Sequence, residues 1–210
     1  MSFWFKKPPR PRIIAASPEG ASSTPTLTTY KAKDMILGIG IRSGTASAPT
    51  IPSGVGYTAI NAGLGADSMG TAWAHRQCTS DGADGGLGSW TNAHGAYLVS
   101  IRNVDWKHPI GTITGPAANA SNANITHGAC APANRNSAII SGAAVTSGAA
   151  PGLRADATLL KENVSATPRM RWGRSTVIPV KSWAAQVVGN DGATAAAAHH
   201  FAVEIRGRRR

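Results

Sequence analysis

Six histidines, two cysteines and ten carboxylates are the groups in this chain that can move protons, hold metals or attack an electrophile. Their spacing does not assemble any familiar chemistry. His75, His94, His108, His127, His199 and His200 show no metal-ligand interval except the adjacent last pair. On a strand, adjacent side chains point to opposite faces, so His199 and His200 are not expected to chelate one ion together. Asp81-Gly82-Ala83-Asp84-Gly85-Gly86 has the composition of a calcium loop but neither the EF-hand spacing nor the bidentate Glu, and reads as a solvent loop. Gly54-Val55-Gly56-Tyr57-Thr58-Ala59 matches a relaxed dinucleotide fingerprint, yet a proline turn precedes it and no helix pattern follows. The sequence contains no Gly-x-Ser-x-Gly elbow, paired-cysteine zinc pattern, His-Glu-x-x-His or Walker loop. The expectation is a protein with no catalytic residues, no metal and no cofactor. Cys78 and Cys130 allow one disulfide at most. In a chain made in a reducing cytosol, two buried thiols are expected instead.

Binding residues stand out more clearly. The net charge is +11, but it is concentrated at the ends: Lys6, Lys7, Arg10 and Arg12 at the start, Arg206, Arg208, Arg209 and Arg210 at the finish. The remaining body carries 13 basic and 10 acidic residues and is nearly neutral. A nucleic-acid-binding domain would carry its basic stripe within the folded part. Phe3, Trp4 and Phe5 abut the first cations, and three exposed aromatics at a free end would invite aggregation. The partner-binding set is therefore Phe3, Trp4, Phe5, Lys6, Lys7, Arg10 and Arg12. The aromatics are expected to be buried in another subunit, with the cations against acidic groups or packaged nucleic acid. Trp73, Trp90, Trp172 and Trp183 are expected to fill the core. Trp106, in the turn-like Asp105-Trp106-Lys107-His108-Pro109, is the candidate exposed contact.

These residues need elements to position them. Of the apolar residues 37 are Ala, while Leu, Ile, Val and Phe number 36 of 210, a thin supply of bulk for a core of this size. That poverty predicts a body that associates with neighbours, itself included. No run of 18 apolar residues is present, so no membrane-spanning helix is expected. Residues 1–25 read as an extended arm, because the prolines at 8, 9 and 11 favour polyproline geometry. From Thr26, short apolar runs alternate with turn residues, predicting strands near Thr26–Tyr30, Met35–Arg42, Tyr57–Asn61, Thr71–Cys78, Ala96–Arg102, Ile110–Thr114, Ser137–Val145, Arg154–Leu160, Ser175–Val188 and His199–Arg206. In Met35–Ile41, apolar residues on both faces mark a buried strand, with Gly38 and Gly40 where another backbone can approach. Ala193–His200 is the best helix candidate. The expected fold is all-β: a jelly-roll-like β-sandwich over 26–206, with a basic tail at 207–210. Ser89-Trp90 precedes a strand ending Ile101-Arg102, and Ser182-Trp183 one ending Ile205-Arg206. The gaps from Trp to Ile, 11 and 22 residues, differ too much to establish a repeat.

The middle of the chain resembles a known family. Pro49-Thr50-Ile51-Pro52-Ser53-Gly54-Val55-Gly56-Tyr57, the strand at Trp73–Gln77, Gly88-Ser89-Trp90-Thr91-Asn92-Ala93, and Ile101-Arg102-Asn103-Val104-Asp105 before Pro109-Ile110-Gly111 follow one another in order. This order resembles bacteriophage and prophage virion-associated proteins with a "tvPaGw" turn and a "yrgvd…npiG" strand and turn. Tyr57 closes the turn motif here, and Arg102-Asn103 stands at "rg". The resemblance covers about residues 33–115 and implies a β-sandwich in a phage particle, made in the host cytoplasm, whose partners are other virion proteins. It carries over no catalytic residues. A capsid decoration or head–tail accessory subunit is the leading expectation, and a carbohydrate-binding module at a tail tip or fibre is the alternative.

Overall fold

Runs such as Met35-Ile36-Leu37 and Ile139-Ile140, too short for helices and bounded by turn residues, form strands throughout. A computed structural model describes residues 9–18, 22–66, 69–82, 87–122, 124–134, 136–146, 150–163, 169–175, 183–189 and 196–208. Strands β1 (Arg12–Ala16), β2 (Met35–Ser43), β3 (Tyr57–Ala66), β4 (Met69–Gln77) and β5 (Gly95–Arg102) make one antiparallel sheet, ordered β1-β5-β2-β4-β3. The rest of the chain supplies β6 (Ile110–Asn122), β7 (Asn124–His127), β8 (Ala138–Val145), β9 (Ala157–Asn163), β10 (Arg169–Ser175), β11 (Gln186–Gly189) and β12 (Ala196–Ile205). The second sheet is ordered β6-β12-β8-β10-β9, while β7 and β11 pair separately. The chain is an all-β sandwich, with no helix among the described residues.

The two sheets are the same structure twice. Replacing β1, β2, β3, β4 and β5 by β6, β8, β9, β10 and β12 converts one strand order into the other. The registers coincide as well. Met35, Leu37 and Ile39 lie opposite Ile101, Val99 and Tyr97; Ala138, Ile140 and Gly142 lie opposite Ile205, Val203 and Phe201. On the other side, Ile39 faces Trp73 and Gly142 faces Trp172. Even the irregularities repeat: the outer strand skips Ile60 beside Trp73 and Leu160 beside Trp172, and both side chains pack on the central core. A bulge adds one unpaired residue and bends a strand, so its recurrence at one register position is a feature of the fold. Tyr97-Leu98-Val99-Ser100-Ile101-Arg102 and Phe201-Ala202-Val203-Glu204-Ile205-Arg206 thus occupy equivalent places. The echo in the sequence is a structural repeat, and β11, lying within the longer Trp183–Ile205 interval, accounts for part of the unequal spacing.

Between the sheets lies the main core. Trp73 and Trp172, equivalent residues of the two halves, stack with centroids 5.7 Å apart and planes 26° from parallel. Phe201 meets Trp172 edge-on at 5.9 Å. Offset and edge contacts of this kind suit the ring quadrupoles. Around them pack Met35, Leu37, Ile39, Ile41, Tyr97, Val99, Ile140, Met170, Val203 and Ile205.

Each sheet also has a covered outer face, which explains strands apolar on both sides. Trp90 lies over the first sheet, where a Cβ on Gly38 or Gly40 would come within 2.6 Å of its indole. Those glycines therefore admit an aromatic ring rather than a backbone. Trp183 covers the second sheet with Cys130, Ile139 and Ala202. The guanidinium of Arg154 stacks on Trp183 at 4.5 Å while making a bidentate pair with Asp156. The Trp90 backbone N–H donates to the Ser23 carbonyl and the Trp183 backbone N–H to the Cys130 carbonyl, so a covering segment is tied down in both halves. Four tryptophans fill the interior as expected, and Cys78 and Cys130 are buried free thiols.

Several expectations are corrected in detail. The jelly-roll likeness holds for two facing antiparallel sheets, but the connectivity differs, because each half of the chain builds its own sheet. Residues 12–16 are strand β1, paired with β5, so the sandwich begins within the expected arm. Thr26–Tyr30 is no strand; Leu27 and Tyr30 are buried on the outer face of the first sheet. Of the Ala193–His200 helix candidate, Ala196–His200 lies in β12 between β6 and β8, where pairing on both sides overrides alanine's helical preference. Residues 193–195 lie outside the described residues. The alternating Arg169-Met170-Arg171-Trp172 forms β10; of the strand expected over Ser175–Val188, Ser175 closes β10 and Gln186–Val188 lie in β11, while residues 176–182 lie outside the described residues.

Candidate binding groove

The loop joining the two sheets passes one end of the sandwich, where the turn before β2, the end of β4 and the C-terminal segment also arrive. Lys31–Asp34 makes the turn: the Asp34 N–H donates to the Lys31 carbonyl, and the Asp34 carboxylate accepts the Lys31 N–H at 2.8 Å. Lys33 adopts a left-handed φ of 71°. Its N–H donates to the Cys78 carbonyl, fixing the turn to the end of β4. The Gln77 side-chain amide donates to the Trp106 carbonyl, which holds the linker beside the same strand. From the C-terminus, Arg208 donates its N–H to the Asn103 carbonyl, while Val104 and Gly207 form a bridge.

These segments enclose an open groove of ≈ 400 Å³ lined by Ala32, Lys33, Cys78, Thr79, Trp106 and Arg208. A second lobe of ≈ 200 Å³ shares Ala32, Lys33 and Arg208 and adds Asp34, Arg102 and Asn103. Trp106 is 37% exposed, in keeping with its turn-like sequence. The charges are sorted by depth. Asp34 is buried and takes two bonds from Arg102, each 2.8 Å, which raise the Arg102 pKa above its ordinary value. Asp105 is also buried, with Oδ1 accepting the N–H groups of Lys107 and His108. Lys31, Lys33, Lys107 and Arg208 are exposed, against one exposed carboxylate among the described residues here, Asp81, which accepts the Ala32 N–H. Burial raises the Cys78 thiol to about 11, so it is an apolar floor rather than a nucleophile.

The residues singled out in the sequence are distributed as follows. Phe3, Trp4, Phe5, Lys6 and Lys7 lie outside the described residues. Arg10 is partly buried, and Arg12 is exposed on edge strand β1 directly opposite Arg102, which places a further cation beside the groove's second lobe. Trp106 lies in the groove itself. Sequence reasoning missed Lys33 and Arg102, whose partners come from distant segments; a lysine beside an Asp in a turn was the only local signal. The C-terminal segment is no free tail as far as Arg208. Arg206 is half-buried 3.8 Å from Glu204, and Gly207 donates to the Asn136 carbonyl.

Elsewhere several buried polar groups are engaged by the scaffold. Glu204, fully buried, accepts the N–H groups of Thr112, Ala133 and Asn134 at 3.0–3.1 Å and the Ser137 hydroxyl. Burial alone would raise its pKa, but those donors outweigh it and the net shift is downward. His127 bonds the Ser141 hydroxyl and the Gly152 carbonyl. His199 meets Thr71 between the sheets, whereas His200 lies on the opposite face of β12, near Gly128. No cluster of three metal-ligating side chains occurs among the described residues. No family profile, curated protein or solved structure matches the chain.

Proposed function

We propose that this chain is a non-enzymatic structural subunit of a bacteriophage particle, a capsid decoration or head–tail accessory protein attached through the residues that precede Arg12. The observation that carries the reading is the rooting of that segment. β1 is laced to β5, and the Pro9 carbonyl accepts a bond from the side chain of Asn136, in the turn that leads into β8, at 3.1 Å. Phe3, Trp4, Phe5, Lys6 and Lys7 therefore start from a fixed point on a doubly covered sandwich. The prolines at 8 and 9 limit backbone freedom where the segment joins the sandwich, which lowers the entropy lost on docking. The duplicated fold supports the same reading, since it gives one chain two equivalent sheets and edges with which to meet neighbours, other copies included. The resemblance over residues 33–115 supplies the phage setting and the partners, other virion proteins, with packaged nucleic acid a further target of the terminal arginines.

The experiment is deletion of residues 1–8, which spares β1 and the Pro9 contact. If the shortened protein folds but fails to enter particles, the segment is the attachment device. Normal incorporation refutes the anchor. Replacing Phe3, Trp4 and Phe5 by Ser with every cation kept then separates protein docking from nucleic-acid contact, because only docking depends on the aromatics. Exposed Trp106 favours a second reading, a carbohydrate-binding module of a tail tip or fibre. That reading requires the isolated protein to bind host polysaccharide and to lose it in Trp106→Ala.

A further inference from the structure

The repeat gives the groove an internal control. Lys33 stands two residues before β2 and Asn136 two residues before β8, so they are equivalent; likewise Trp106 precedes Ile110 as Pro9 precedes Ile13. Ile13 and Ile110 are themselves equivalent, being opposite Ile101 and Ile205. In the second half this position is stitched together. The Asn136 side-chain amide donates to the Pro9 and Arg208 carbonyls at 3.1 Å each, and the Asn136 backbone carbonyl accepts the Gly207 N–H. In the first half the same position carries an exposed lysine and an exposed tryptophan around a groove. No ion pair involves Lys33 or Arg208 among the described residues.

A second observation points the same way. Of the three non-glycine residues with left-handed φ among the described residues, Lys33 (71°) and Asn103 (64°) both line this groove. Lysine has no side-chain compensation for that conformation, so its presence where glycine or asparagine would be easier suggests selection for the ammonium group. Ala32, Cys78 and Trp106 give the groove its apolar lining, Lys33 and Arg208 give it exposed cations, and in the second lobe Arg102 is paired with Asp34. An apolar centre with a cationic rim has the anatomy of a peptide-binding site.

We infer that this groove is a docking site for an acidic peptide segment of a partner protein. One apolar side chain enters between Trp106 and Cys78, and flanking carboxylates meet Lys33 and Arg208. The groove is short and its lining holds one aromatic, Trp106, rather than the succession of stacking platforms along which a nucleic-acid strand is held, which favours a peptide over nucleic acid.

The test uses the full-length protein and two fluorescent probes, an acidic heptapeptide with a central leucine and a short oligothymidylate, followed by anisotropy. The peptide is expected to bind, to weaken as salt is raised, and to lose at least about tenfold in affinity in Trp106→Ala and in Lys33→Glu with Arg208→Glu. Val187→Ser, on exposed β11, is expected to change nothing. All four substituted residues are exposed, and an unchanged circular dichroism spectrum confirms that each variant folds. Failure of the peptide to bind, or equal binding by the groove variants, overturns the inference. Oligothymidylate binding lost in the same variants, with no peptide binding, overturns it in favour of a nucleic-acid site. Because no particle is involved, either result is independent of the virion reading.

Discussion

Glu204→Gln is a nearly isosteric change whose cost follows from the four donors that converge on this buried carboxylate. Oε2 accepts from the Thr112 and Ala133 N–H groups; Oε1 accepts from the Asn134 N–H and the Ser137 hydroxyl. Glutamine must place its NH₂ on one side. On the Oε2 side it faces two N–H groups, neither of which can accept. On the Oε1 side the Ser137 hydroxyl can turn round to accept, so only the Asn134 N–H is orphaned. The second arrangement is preferred, with one buried donor unsatisfied at about 1–3 kcal/mol and the remaining bonds deprived of their charge. A total loss of about 2–4 kcal/mol is expected, or roughly 5–15 °C in melting temperature for a chain of this size. Urea denaturation at pH 7, followed by tryptophan fluorescence, measures it. The pH dependence supplies a second signature. Glu204 is depressed below its ordinary 4.5, so its contribution is full above that value and disappears as pH falls through the folded-state value. The gap between the native protein and Glu204→Gln should therefore narrow in acid. A loss below about 0.5 kcal/mol at pH 7 would refute the assignment of this carboxylate as the clasp of Thr112, Ala133, Asn134 and Ser137.

Gly40→Ala should destabilise the fold by about 1–3 kcal/mol, because its Cβ would lie 2.6 Å from the fully buried Trp90; an unchanged urea midpoint would show that Trp90 does not cover β2. His127 is lowered to about 4, first by burial and further by Arg154 and His200, against the opposing Gly152 carbonyl bond and the Asp156 charge. Its folded pKa lies below the unfolded one, so stability should fall as pH drops from about 6.5 towards 4. His127→Gln should flatten that slope, which chemical denaturation at a series of pH values measures; an unaltered slope contradicts the assignment. Cys78 and Cys130, both buried with thiols raised to about 11, should react with Ellman's reagent only as the fold opens. Full modification of the native protein within seconds would contradict their burial.

What could be read from the residues was decided by how local the cause was. β2 and β5 are legible because Met35–Ile41 and Ala96–Ile101 are apolar on both faces, and Trp90 together with the inter-sheet core supplies the two covers. Trp106 is legible as exposed because its neighbours Asp105, Lys107 and Pro109 are turn residues. β10 was obscured by Arg169, Arg171 and Arg174, although Met170 and Trp172 alternate with them towards the core. The strand expected from Arg154 starts only at Ala157, because Arg154 is held by Asp156 and the Trp183 ring. The repeat shows in the sequence only as the unequally spaced Ser89-Trp90 and Ser182-Trp183 echo, because its evidence lies in register: Trp73 and Trp172, or Ile60 and Leu160, match only after pairing partners are known. Most of the groove was hidden for a similar reason. Lys33, Cys78, Arg102, Trp106 and Arg208 come from five segments, and only the closing of both sheets brings them together.

The central claim, that this chain is a stoichiometric part of a phage particle held by its leading residues, is tested most directly by a density map of intact purified particles. The account predicts a sandwich of two facing five-stranded sheets at defined sites, with Phe3, Trp4 and Phe5 sunk into an adjacent subunit and Lys6, Lys7, Arg10 and Arg12 at the rim of that contact. Particles that form and infect normally without the chain bound anywhere would contradict it.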